Sequence, residues 1–190
     1  MGTSRSDRSP ETPNWRPVLA SIGNPLVSAE RQNLEIWRAA YAEKGTSLER
    51  ELGSSLLASA CSYISQGLAL PSALARFDET AREAGESSFV LDLARRAFVR
   101  SSSRKESVSS FVGETFAELV SYYASRDLSS FIGAENRLSD VTESVELKEQ
   151  LRSITKRQVS AVGEPTTDPE DWRQYVRRVL TSLRQPGGPR

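Results

Sequence analysis

Asp168-Pro169-Glu170-Asp171-Trp172-Arg173-Gln174-Tyr175-Val176-Arg177-Arg178-Val179-Leu180-Thr181-Ser182-Leu183 reads as an amphipathic helix from end to end. Asp168 has the short side-chain oxygen of an N-cap, and Pro169 fits the first helical position, where a backbone N–H has no partner anyway. Glu170 and Asp171 put negative charge at the positive end of the helix dipole. Trp172, Tyr175, Val176, Val179, Leu180 and Leu183 then fall at i, i+3, i+4, i+7, i+8 and i+11, one continuous apolar face. Pro186-Gly187-Gly188-Pro189 cannot continue a helix and closes the segment.

The same spacing recurs through the chain. Pro17 opens a short helix reaching Ile22, ended by Gly23-Asn24-Pro25. A helix after Ser28 carries Leu34, Trp37 and Tyr41 and is expected to stop at Gly45. Thr46 and Glu49 form a capping-box pair before a helix bearing Leu48, Leu52, Leu56, Ala60 and Ile64, which should end at Gly67. Pro71 introduces a segment with Leu74 and Phe77 that ends at Gly85, and Ser87 caps a helix through Arg100. Ser101 to Ser107 has no apolar residue and reads as a loop. Phe111, Val112, Phe116, Leu119, Val120 and Tyr123 give a wide apolar face, the pattern of a buried helix, and Asp127 is expected to cap a short turn through Ile132 and Gly133. Leu147, Leu151, Ile154 and Val162 mark a further helix, and Gly163 to Thr167 a linker.

No stretch sustains period-two alternation, so the expected fold is all-α: a single helical-bundle-like domain of six to eight helices over residues 15–185. Residues 1–14, rich in Ser, Thr, Pro and charge, are expected to be a flexible leader, and 186–190 a flexible tail. No apolar run approaches the roughly 20 residues that cross a bilayer, and the start lacks the apolar middle of a secretory signal, so the expected location is cytoplasmic.

Composition narrows the chemistry. Histidine is absent and Cys61 is the only cysteine, which excludes a Cys/His zinc site, an internal disulfide and any His-activated nucleophile within the chain. No bound zinc, iron or other cofactor is expected. Cys61 lies beside an apolar stripe and reads as a buried, protonated filler. Two Ser-x-x-Lys matches, Ser102 to Lys105 and Ser153 to Lys156, have the spacing of a Ser/Lys nucleophile pair, but 29 serines make such matches common and the accompanying Lys-Thr-Gly is missing. Glu114 with Glu118, and Glu143, Glu146 and Glu149, have the spacing of paired carboxylates on one helix face; both sets are expected on solvated faces. No catalytic residue is assigned.

Lys and Arg balance Asp and Glu at 25 each, so nothing in the net charge attracts nucleic acid or an anionic membrane. Basic sites must be local, and two stand out. Arg95, Arg96, Arg100, Arg104 and Lys105 form a cluster able to contact an anion or an acidic partner, with Asp92 and Glu106 partly neutralising it. Arg173, Arg177, Arg178 and Arg184 lie on the polar side of the last helix, a candidate docking face. No Gly-rich phosphate-loop motif is present.

Met1-Gly2-Thr3-Ser4-Arg5-Ser6, followed by Thr12-Pro13-Asn14-Trp15, resembles the start of QatB-type proteins, accessory components of bacterial Qat anti-phage systems. Those proteins often begin Met-Gly-Thr-Ser and pass through a Pro-rich segment to a tryptophan. The resemblance covers residues 1–15, and it departs where the family has Pro-Pro before the tryptophan and this chain has Pro13-Asn14. It carries over no catalytic residue and implies an accessory protein working beside separate enzymes. The expected function is therefore a non-catalytic adaptor acting through protein partners. A nucleic-acid-binding small subunit using Arg95 to Lys105 is the alternative, with weak affinity expected, and a hydrolase using carboxylates or a Ser/Lys pair is the third.

Overall fold

The computed structural model describes residues 14–85, 89–101, 108–128, 132 and 138–185. Within them the chain is all-α, with eight helices: α1 (Arg16–Ser21), α2 (Ala29–Leu52), α3 (Ser55–Ser65), α4 (Leu70–Glu83), α5 (Phe89–Ser101), α6 (Val108–Leu128), α7 (Val141–Ala161) and α8 (Pro169–Leu183). The only β-type pairing among the described residues is an isolated bridge between Ile132 and Leu138. No helix among them is long and apolar enough to cross a membrane. Most of the leader and the whole tail, together with the proposed cap Ser87, lie outside the described residues.

Helix α6 is the axis of the molecule. Every residue from Phe111 to Val120 is buried, because α7, α5, α2 and α3 cover it on all sides. Aromatic rings fill the space around it, Trp37 against Phe116 at 6.0 Å and Phe98 against Phe111 at 4.5 Å between centroids. The helix runs on through Asp127 to Leu128, so Asp127 does not open a new turn there. Ser101, assigned to a loop from its composition, instead completes the last turn of α5 and is buried.

Two glycines reshape the N-terminal half. Gly45, with φ of 28°, bends α2 without ending it, since a backbone angle that strains other residues is open to glycine. Leu48 and Leu52 therefore belong to the far arm of α2, and Glu49, instead of closing a capping box with Thr46, accepts from Tyr41 and Arg177. The true break comes at Gly53, ahead of Ser54 and α3. A Cβ on Gly53 would stand 2.7 Å from the Glu49 carbonyl oxygen. Gly53→Ala should thus force the turn apart and cost about 1–3 kcal/mol, read as a lower urea midpoint.

Helix α8 forms as its sequence dictates. Asp168 accepts from the backbone N–H of Glu170 at 2.9 Å and of Asp171 at 3.2 Å, and all six residues of the apolar face are buried. The Trp172 indole N–H donates to the Leu52 carbonyl at 2.8 Å, capping the end of α2 from a helix 120 residues away in sequence. A second polar tie joins α2 to α7: Thr155 donates to Asn33 at 3.0 Å, and Asn33 donates to Gln158 at 3.2 Å.

Candidate functional site

Glu114 and Glu118 are one turn apart on α6 and buried, contrary to the solvated face expected for them. Arg152 of α7, its side chain only 4 % exposed, reaches between them, with Nη2 2.7 Å from Glu114 and Nη1 2.6 Å from Glu118. Lys156 closes on the other oxygen of Glu114 at 2.7 Å, and Arg100 of α5 meets Glu118 at 2.9 Å. The burial follows from packing: α7 lies along α6, and carboxylates held beneath another helix need cations at contact distance. The network ties α5, α6 and α7 together, and both oxygens of Glu114 are taken, one by Arg152 and the other by Lys156. Glu143, Glu146 and Glu149 are exposed, as expected.

The remaining reactive groups also have structural placements. Burial in apolar surroundings pushes the Cys61 thiol well above its ordinary pKa, away from the nucleophilic thiolate. Ser153 is exposed on α7 while its Lys156 partner is bound to Glu114, so the pair does not act as a unit. Ser102 and Lys105 lie outside the described residues. Among the described residues, no group of three or more acidic, Cys or His side chains is placed to hold a metal.

The basic cluster divides. Arg95, Arg96 and Arg100 stand on α5 itself, while Arg104 and Lys105 lie outside the described residues. With Leu74 and Asp78 of α4, Val99 of α5 and Glu118 of α6, these three arginines line an open cleft of about 380 Å³. Arg95 is fixed between Asp78 and Asp92, each at 2.6 Å. The hydrogen bond to Asp78 is the main cause that raises its pKa further. Arg100 is held by Glu118 from the cleft wall. Arg96 is exposed and makes no ion pair with any described residue. Between them stands Val99, 61 % exposed, with half-buried Leu74 also lining the cleft. Sequence singled out the arginines but not Val99, their neighbour on α5, nor Leu74 and Asp78, which the packing of α4 on α5 brings to them.

The four arginines of the last helix do not form one face. Arg184 follows the helix end, its guanidinium 3.4 Å from the centroid of the Tyr41 ring, and donates to the Leu180 carbonyl. It is a packing residue. Arg178 lies over the Tyr175 ring at 5.9 Å. Arg173 and Arg177 instead line a groove against the end of α2, with Arg177 bonded to Glu49. Comparison with protein-family models, curated proteins and solved structures finds no match to the chain.

Proposed function

We propose that the chain is a non-catalytic accessory protein that acts by protein contact through the α4–α5–α6 cleft. The observation that carries this reading is the exposed Val99, set among Arg95, Arg96 and Arg100 with Leu74 beside it. An exposed apolar side chain beside Arg96, which makes no ion pair with any described residue, suits a partner segment that offers an apolar anchor next to a carboxylate. Two of the three arginines are already paired with Asp78, Asp92 or Glu118, so few charges remain for the many phosphate contacts on which nucleic-acid affinity depends. The structural use of Glu114, Glu118, Lys156 and Cys61 supports the non-catalytic part. Membership of a bacterial multi-component system, anti-phage defence in particular, rests on the resemblance of residues 1–15 to QatB-type proteins.

A photocrosslinking phenylalanine analogue at Val99, introduced in the producing cell, tests the reading. It should yield a discrete protein adduct, identified by mass spectrometry, that disappears when Arg96→Glu is added. Adducts to nucleic acid, or protein adducts indifferent to the charge reversal, would assign the cleft to the alternative or to no site at all.

A further inference from the structure

The corner between α2 and α3 carries a second basic groove. Thr46, Glu49, Arg50 and Gly53 line it from one side and Arg173 and Arg177 from the other, enclosing about 410 Å³. That is the size range of small-molecule sites. Ordinary structural duties do not account for two of its arginines, Arg50 and Arg173. Cations often serve as caps for the last carbonyls of a helix. Here the carbonyls of Glu49, Glu51 and Leu52 already accept from Gly53, Ser54 and Trp172. Arg177 is anchored on Glu49, but Arg50 and Arg173 are exposed, and their side chains make no hydrogen bond or ion pair with any described residue. The Thr46 hydroxyl makes none either. The Arg173 stem lies over the turn, its Cγ 3.4 Å from where a Cβ on Gly53 would stand. Next in the chain, Ser54 begins α3 without a side-chain capping bond, and its buried Oγ has no partner among the described residues.

Three guanidinium groups against one carboxylate leave two positive charges unneutralised in the groove. We propose that it binds the phosphate of a small phosphorylated molecule, with Arg50 and Arg173 as bidentate donors, Thr46 as a hydroxyl donor and Arg177 as the fixed wall. A terminal phosphate carries a charge of about −1.5 to −2 at neutral pH, and its oxygens match the planar fork of arginine. A nucleic-acid strand fits less well. Exposed Glu170 and Asp171 lie just upstream of Arg173 at the start of α8 and interrupt any basic track a strand would follow.

Isothermal titration calorimetry of the full chain with inorganic phosphate and pyrophosphate, at constant ionic strength, tests the site. Pyrophosphate should bind at one site per chain. Arg50→Ala and Arg173→Ala should each weaken it by about tenfold or more, the loss of one charge-assisted bidentate contact. Arg173→Lys should also weaken it, because an ammonium keeps the charge but not the fork, whereas Arg178→Ala, outside the groove, should leave it unchanged. All four variants should keep the wild-type melting temperature. No heat at millimolar pyrophosphate, or wild-type affinity in Arg50→Ala and Arg173→Ala, overturns the proposal. So does an oligonucleotide that binds more tightly than pyrophosphate and depends on the same two arginines, which would make the groove a nucleic-acid site. The α4–α5–α6 cleft shares no residue with this groove, so either can fail alone.

Discussion

Arg152→Ala should bring the protein close to unfolding. The substitution leaves Glu114 and Glu118 inside the molecule without the guanidinium that lies between them, and breaking a buried ion pair from one side costs about 3–5 kcal/mol. Whole domains are stable by only about 5–15 kcal/mol. Lys156 and Arg100 soften the loss, since each still contacts one carboxylate, but their side chains are 33 % and 54 % exposed and approach from the rim. The sign reverses if the charges leave together. Glu114→Leu, Glu118→Leu and Arg152→Met in one chain remove the desolvation penalty along with the attraction, and apolar replacements of such triads are often neutral or stabilising. Urea unfolding should therefore place the triple variant well above Arg152→Ala and near wild type. Equal midpoints for Arg152→Ala and wild type would mean that α7 does not cover these carboxylates.

That network also marks the limit of what the sequence discloses. Glu114 and Glu118 have the i, i+4 spacing of any solvated helix, and Arg152 reads as one more charge on the outer side of α7. Only the packing of α7 along α6 decides otherwise, and packing between elements distant in sequence leaves no local signature. Helix α8 was legible because everything that forms it is local: the Asp168 cap, Pro169, the early acidic residues and the six-residue stripe. Helix α2 misled for the complementary reason. Gly45 followed by Thr46 and Glu49 imitates a stop and a new cap, while Leu48, Leu52, Leu56, Ala60 and Ile64 hold a four-residue spacing straight across the real break at Gly53. Of the two basic surfaces, the arginines on α5 and α8 were visible as charge runs. Val99 and Arg50 were not: a single valine on a polar helix face gives no signal until α4 and α6 wall it into a cleft, and Arg50 gains its meaning from Arg173 and Arg177 on α8.

Trp172→Ala should have an effect as large as that of Arg152→Ala, by a different route. The indole is 1 % exposed, stacks on Tyr175 at 5.6 Å between centroids and packs where α8 meets the end of α2. Truncating a buried tryptophan costs about 3–5 kcal/mol, from lost apolar burial and the cavity left behind. Part of the cost has another origin, because the indole N–H is the donor that satisfies the Leu52 carbonyl. Trp172→Phe separates the two contributions. It keeps most of the apolar surface but leaves that carbonyl unpaired, which should cost about 1–3 kcal/mol. Thermal and urea unfolding should rank wild type above Trp172→Phe and Trp172→Phe above Trp172→Ala, whereas Arg177→Glu with Arg178→Glu should cost less than Trp172→Ala, since what it breaks is the exposed Arg177–Glu49 pair, and surface ion pairs contribute little to stability. If Trp172→Phe matched wild type, the indole bond would contribute nothing net. If Trp172→Ala matched it as well, the apolar face of α8 would not be core, and the helix would be a detachable element whose stripe is left for a partner to cover.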